Sequence, residues 1–159
     1  MTVAAFCGTF DPITLGHVNI IERSSRLFEK VIVVVSKNSE KRNLFSSQQR
    51  VQWVRQACAH LDNVEVQSFE GLVADACETY HADVLIRGIR NMTDCEYEQN
   101  MAYMNQSIRP GLDTFCLFTD NDLRFCSSSN VRECLANDLD VSGLVPACVA
   151  EELKKEKQG

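Results

Sequence analysis

The amino-acid sequence predicts an α/β fold: a doubly wound, Rossmann-like sandwich built on a five-stranded parallel sheet, in one domain spanning residues 1–159. Three observations predict it. Short β-branched runs alternate along the chain with segments of helical periodicity. One of those runs, Val31-Ile32-Val33-Val34-Val35, is continuously apolar, the mark of a strand covered on both faces. No internal repeat, low-complexity tract or linker interrupts the alternation.

Taken in order, Thr2 to Cys7 is the first strand, and a Gly8-to-Pro12 turn leads to Thr14, placed to cap a helix whose Val18, Ile21, Ser25 and Phe28 share a face. The Val31–Val35 strand follows. Ser46 and Gln49 stand at capping-box spacing before the Val51, Val54, Cys58, Leu61 stripe. Val64-Glu65-Val66 is the weakest strand pattern, and the helix after it carries Val73 and Cys77 four residues apart. Val84-Leu85-Ile86 is the fourth strand, and the Thr93/Glu96 spacing marks the next helix, with Tyr97, Met101, Met104 and Ile108 on one face. Thr114 to Phe118 is the fifth strand, Ser127 opens another helix, and a last helix follows Pro146. Right-handed crossovers then give a mostly parallel sheet, whose ligands bind beyond the carboxyl ends of the strands at the topological switch point. The site is therefore expected just after Cys7, Val35, Ile86 and Phe118.

Composition narrows the function classes. A formal net charge of −6 over 159 residues argues against a duplex nucleic-acid binder, which needs a basic face. No apolar run reaches the roughly 18 residues of a membrane span, and the first residues lack a secretory signal pattern, so a cytoplasmic protein is expected. The eight cysteines are scattered singly without a C-x-x-C pair, which favours buried structural thiols over disulfides or zinc. Two basic sets stand out: Lys37, Lys41, Arg42 and Arg50, and separately Arg87 with Arg90. Solvated surface charge and anion binding are both open for these groups.

The segment Gly8-Thr9-Phe10-Asp11-Pro12-Ile13-Thr14-Leu15-Gly16-His17 carries the strongest chemical signal. It contains no G-x-G-x-x-G, so a dinucleotide fingerprint is unsupported. Gly8 allows close backbone approach, Asp11-Pro12 turns the chain, and the first-turn amides after Thr14 attract an anion through free N–H groups and the helix dipole. His17 adds a side-chain donor beside them. The plainer reading is a turn followed by a polar first-turn histidine. His60 and His81, near helix ends without companion residues, show how common that is.

Thr14-x-Gly16-His17, preceded by Gly8-Thr9-Phe10-Asp11-Pro12, resembles the T/H-x-G-H signature of the nucleotidylyltransferase superfamily. Leu85-Ile86-Arg87-Gly88-Ile89-Arg90, Asp94-x-Glu96-Tyr97-Glu98, Met104-Asn105 and Ser127-Ser128-Ser129 extend the match over essentially the whole chain. Within that superfamily they resemble the bacterial phosphopantetheine adenylyltransferases. The resemblance implies adenylyl transfer from ATP to 4′-phosphopantetheine, giving dephospho-coenzyme A and pyrophosphate by direct in-line displacement. Positioning and charge stabilisation supply most of such catalysis, so no Ser-His-Asp or Cys-His set is required. It also implies a homohexamer and Mg²⁺ held mainly through the ATP phosphates, with no protein metal ligands.

By matching motif positions, the resemblance makes His17 the donor to the α-phosphate, assisted by Lys41 and Arg90, and places Thr9, Lys41, Val73 and Arg87 against 4′-phosphopantetheine. Thr9, Phe10, His17, Gly88, Ile89, Arg90 and Glu98 fall at ATP, as do Leu123, Arg124, Phe125, Cys126, Ser127, Ser128 and Ser129. Arg87 paired with Asp94 or Glu96 as a structural arginine is the competing view, as is a solvated Lys41. Tyr97 at helical spacing with Met101 reads as core, while Met101, Met104 and Ile108 suit either core or an interface. Cys7, Leu15, Leu123 and Cys126 depart from the common family residues, which bears on the adenine pocket rather than on the reaction. The competing functions are another small nucleotidylyltransferase, with a nicotinate or glycerol-phosphate acceptor, and a non-catalytic ATP-binding sensor.

Overall fold

The computed structural model describes residues 1–37 and 42–159. Lys41 lies outside the described residues. Five parallel strands form one sheet in the order β3-β2-β1-β4-β5: β1 Val3–Gly8, β2 Lys30–Ser36, β3 Val64–Phe69, β4 Val84–Ile89 and β5 Asp113–Phe118. The helices are α1 Leu15–Leu27, α2 Ser47–Ala57, α3 Val73–Thr79, α4 Met92–Ile108, α5 Ser128–Ala136 and α6 Ala147–Gln158. The doubly wound parallel sheet expected from the alternation is what the chain forms.

Period-two alternation along the central strands explains why both faces are buried. Ala4, Phe6, Val31, Val33 and Val35 point into a core with Ile20, Ile21, Trp53, Val54, Val131, Val149 and Leu153. Ala5, Cys7, Ile32 and Val34 point the other way, onto Ala74, Ala76 and Cys77 of α3. Helices α1, α2, α5 and α6 thus cover one face, and α3 lies on the other. No cysteine is bridged: all eight are free thiols, and Cys7, Cys58, Cys77 and Cys126 are buried.

The strand order reverses between β1 and β4. These neighbours pair only at Ala4 with Val84 and Ala5 with Leu85, then diverge toward their carboxyl ends. That divergence opens the crevice at the position the switch-point rule specifies.

Three expectations are corrected here. Helix α4 is capped by Asn91, whose side chain accepts from the Asp94 amide, and not by Thr93. The helix starts two residues earlier than a Thr93 cap would allow, because the Asn91 side chain takes up the orphan Asp94 amide. Tyr97, expected in the core, is 58% exposed, and Met104 and Ile108, open between core and interface, are 44% and 41% exposed, while Glu98 and Asn105 are buried. Arg50, grouped above with the loop cations, is fully buried and donates to the carbonyls of Phe45, Thr9 and Ser36. Its job is to tie the ends of two strands to the following loop.

Candidate active site

Two clefts lie at the carboxyl edge of the sheet and share the rim formed by Cys7, Gly8, Thr9, Arg87 and Glu98. The larger, of about 350 Å³, is lined by Phe10, Gly16, His17, Gly88, Arg90, Asp94, Thr119, Cys126, Ser127, Ser128, Ser129 and Arg132. The second, of about 230 Å³, is walled by Leu72, Val73 and Ala76 from the α3 side and by Met101, Ala102 and Asn105 of α4. A polar cleft with cations and two helix N-termini therefore abuts a more apolar one.

The first cleft begins at α1. Thr14 caps this helix, and a reciprocal pair of bonds ties it to His17: the His17 amide donates to Thr14 Oγ1 at 3.4 Å, and the Thr14 amide donates to His17 Nδ1 at 3.0 Å. A ring nitrogen that accepts an amide hydrogen carries a lone pair, so the neutral imidazole bears its proton on Nε2. The Thr14 hydroxyl hydrogen is committed elsewhere, to the Cys126 carbonyl at 2.7 Å. Phe10 and Phe6 hold the ring further, with centroids 5.0 and 6.3 Å from it. Phe10 reaches that place in the left-handed backbone region, at φ 50°, while 2% exposed. Such strain in a bulky residue persists only where packing over-determines it.

Desolvation, with the nearby Arg87 and Arg90 cations acting in the same direction, lowers the His17 pKa from 6.5 to about 4. At neutral pH the side chain is thus a neutral, pre-aimed N–H donor. That is the chemistry of a charge stabiliser, not of a general base.

Arg87 projects from β4 where β1 and β4 separate. Its Nε and Nη2 form a bidentate pair with Glu98, both at 2.8 Å, and its Nη1 donates to the Cys7 carbonyl at 2.6 Å. The fork geometry suits this arrangement, and lysine could not reproduce it. Glu98 is the partner, rather than the Asp94 or Glu96 considered from sequence. Asp94 instead holds Arg90, accepting from its backbone amide and its Nε at 3.0 Å each.

The α5 terminus forms the opposite wall. Ser127 caps it by accepting from the Asn130 amide at 3.1 Å, and the Ser128 hydroxyl donates to the Pro12 carbonyl at 2.8 Å. Arg132 spans the same seam, donating to the Asp11 carbonyl at 2.8 Å and to Ser129 Oγ at 3.3 Å. Two helix N-termini, α1 and α5, face one cleft, but the amides expected to be free in the first turn of α1 have partners. Leu15 N–H donates to the Leu144 carbonyl at 2.9 Å and His17 N–H to Thr14 Oγ1, so α1 offers the positive end of its dipole and the His17 ring. Gly16 makes the approach of the two termini possible: a Cβ there would lie 2.9 Å from the Cys126 carbonyl oxygen.

Of the residues singled out from sequence, the clefts bring together Thr9, Phe10, His17, Val73, Arg87, Gly88, Arg90, Glu98, Cys126, Ser127, Ser128 and Ser129. Four others are not cleft residues. Ile89 is buried in the core at 6% exposure, because it closes β4. Leu123 and Arg124 end a 3-10 turn starting at Asn121, and Phe125 points outward at 71% exposure. Arg132 and Thr119 were missed. For Arg132 the signal was present: it stands three residues after Ser129, on the same side of α5. Thr119 follows β5 with no motif around it, so only the sheet order reveals it.

Among the described residues, no group of three or more His, Cys, Asp or Glu side chains is placed to hold a metal ion. No helix among them is long and apolar enough to cross a membrane.

Comparison with known proteins shows the family and the fold. The cytidylyltransferase-like family model matches residues 5–134. A phosphopantetheine adenylyltransferase of Levilactobacillus brevis is 44% identical over 159 residues, covering 100% of this chain and 99% of its own. One from Cyanothece sp. is 46% identical over 153 residues, covering 96% and 90%. Among solved structures, a Vibrio parahaemolyticus protein with a provisional nicotinate-nucleotide adenylyltransferase name superposes with TM-score 0.74 at 23% identity, covering 98% of this chain and 94% of that one. That likeness establishes the fold alone. The chain belongs to the cytidylyltransferase-like nucleotidylyltransferases and, among them, to the phosphopantetheine adenylyltransferase family.

Proposed function

We propose that the chain transfers the adenylyl group of ATP to 4′-phosphopantetheine, releasing pyrophosphate and dephospho-coenzyme A. The observation that carries this is the junction of the two clefts at Gly8, Thr9 and Arg87, with the neutral His17 donor in the wall of the larger one. The triphosphate lies in the larger cleft, with its α-phosphate at His17 and Arg90 and its outer phosphates at the α5 terminus. The acceptor's phosphate sits at Arg87 on the shared rim, and its apolar arm follows Leu72, Val73 and Met101 into the smaller cleft.

In that arrangement an oxygen of the acceptor phosphate attacks the α-phosphorus as the bond to the bridging α–β oxygen breaks. The electron pair leaves with pyrophosphate. The nucleophile is already an anion and needs no base. Holding both reactants in line supplies roughly 7–11 kcal/mol, and one pre-aimed donor at the developing charge adds about 2.7–4 kcal/mol. His17 Nε2–H fills the donor's place. Lys41, outside the described residues, is proposed as a further cation at the same phosphates by its motif position.

Magnesium, when bound, neutralises the triphosphate and its leaving group. The lining carboxylates Asp94 and Glu98 are each engaged by an arginine. The ion would therefore find few protein ligands and would be held by phosphate oxygens and water.

The uncovered α4 and β5 surface bears Tyr97, Tyr103, Met104, Ile108, Phe115 and Phe118. We assign it to contacts between copies in a homohexamer working in the cytoplasm, tested by sedimentation equilibrium. For the reaction, purified protein is given ATP, Mg²⁺ and either 4′-phosphopantetheine or nicotinate mononucleotide, and pyrophosphate is measured. Release with the first acceptor alone is expected. Release with only the second, or with neither, would overturn the assignment.

A further inference from the structure

The three serines of Ser127-Ser128-Ser129 look equivalent in sequence, yet their hydroxyls do different things. Ser127 Oγ accepts from the Asn130 amide, and Ser129 Oγ accepts from Arg132 Nη2. Both keep their hydroxyl protons to give to an anion. The Ser128 hydroxyl has spent its only proton on the Pro12 carbonyl at 2.8 Å. What it retains is lone pairs, which a phosphate oxygen cannot use.

Two further side-chain-to-carbonyl bonds cross the seam between the α1 and α5 termini beside this one. Thr14 Oγ1 donates to the Cys126 carbonyl at 2.7 Å, and Arg132 Nη1 donates to the Asp11 carbonyl at 2.8 Å. All three run from a side-chain donor to a backbone carbonyl, so all three fix main chain to main chain. The close approach at Gly16 brings the same two segments into contact. The distance between the two helix N-termini is thereby set by short, directional bonds before any ligand arrives.

We propose that Ser128 is a positioning residue for adenylyl transfer and that Ser127 and Ser129 are the hydroxyl donors to the outer phosphates. Ser128 holds the α5 terminus at the separation from α1 that stretches a triphosphate between them, with its α-phosphate at His17. This rests on the reading that the α5 terminus binds the β- and γ-phosphates.

Inorganic pyrophosphate distinguishes the two roles, because it occupies only the α5 end, whereas ATP must span both termini. Ser127→Ala, Ser128→Ala, Ser129→Ala and Ser128→Thr are compared for pyrophosphate affinity by calorimetry with Mg²⁺ present, and for kcat and KM with ATP. Ser128→Ala is expected to leave pyrophosphate affinity within about twofold while kcat falls about ten- to a hundredfold, the cost of a small misplacement of the reacting atoms. Ser128→Thr, which keeps the hydroxyl, restores kcat. Ser127→Ala and Ser129→Ala weaken pyrophosphate by several-fold, as loss of a charge-assisted donor requires. Loss of pyrophosphate affinity in Ser128→Ala in proportion to its loss of kcat would overturn the proposal, and so would a normal kcat. Unchanged pyrophosphate affinity in all three alanine variants would remove the phosphate site itself from α5, a failure of the underlying reading visible as such.

Discussion

Replacing His17 tests the mechanism at its most specific point. The ring's pKa is lowered from 6.5 to about 4 by burial and by the Arg87 and Arg90 cations. At pH 7 its protonated fraction is on the order of 10⁻³, against about a quarter for an unperturbed histidine. A neutral donor therefore serves throughout the neutral range. Removing it as His17→Ala should cost about 2.7–4 kcal/mol of transition-state stabilisation, or roughly 10²–10³ in kcat, with ATP affinity by calorimetry nearly unchanged. The pH profile of kcat/KM, which reports the free reactants, is the sharper assay. The acceptor's phosphate monoester itself titrates near 6, so some acid limb is expected in any case. The limb should be the same in the wild type and in His17→Gln. A limb near 6.5 present only in the wild type would show His17 changing its charge during turnover and would refute the neutral-donor argument. Stability carries the same signature. The unfolded chain takes up the proton near 6.5 and the folded one only near 4, so the neutral ring's contribution is complete above 6.5. It is lost as pH falls from 6.5 toward 4, by at most about 3 kcal/mol. Thermal melts at pH 7 and 5 should show a steeper decline for the wild type than for His17→Gln.

Gly16→Ala places a methyl 2.9 Å from the Cys126 carbonyl, forcing α1 and α5 apart; a loss of about 1–3 kcal/mol in denaturant melts and at least tenfold in kcat is expected. Arg87→Met leaves Glu98, only 7% exposed, without its partner; about 3–5 kcal/mol of stability should be lost. Arg87→Lys should fold but raise KM for 4′-phosphopantetheine more than KM for ATP in steady-state assays. Arg50→Met removes a donor to three carbonyls at once; a loss of at least about 3 kcal/mol is expected by urea unfolding, and a smaller one would mean that water replaces the guanidinium.

Legibility tracked how local each signal was. The strands of the central sheet are β-branched runs that nothing but a doubly covered sheet accommodates, so Val31–Val35 announced itself. The Thr14 cap and the Ser127 helix start are decided within four residues, and both stand where their spacing puts them. The α4 helix shows the limit. Its Tyr97, Met104 and Ile108 have the spacing of a buried stripe, yet the face that meets the fold is the one bearing Glu98 and Asn105. Glu98 is buried because Arg87, eleven residues earlier on another element, neutralises it. Arg50 failed for the same reason, since three carbonyls from separate segments make its burial favourable.

What the sequence determined alone was the class of fold, the strand-to-helix turns on which His17, Arg87 and the serine run stand and, by resemblance, the family and its reaction. These follow from short-range chemistry: periodicity, capping, and glycine where backbones must approach. The tertiary structure decided how those groups are employed. It assigned the Nε2 proton of His17, chose Glu98 for Arg87 and Asp94 for Arg90, and set Ser128 apart from its neighbours. Each of these depends on which donor meets which acceptor across the seam between distant segments, and no local pattern encodes that pairing.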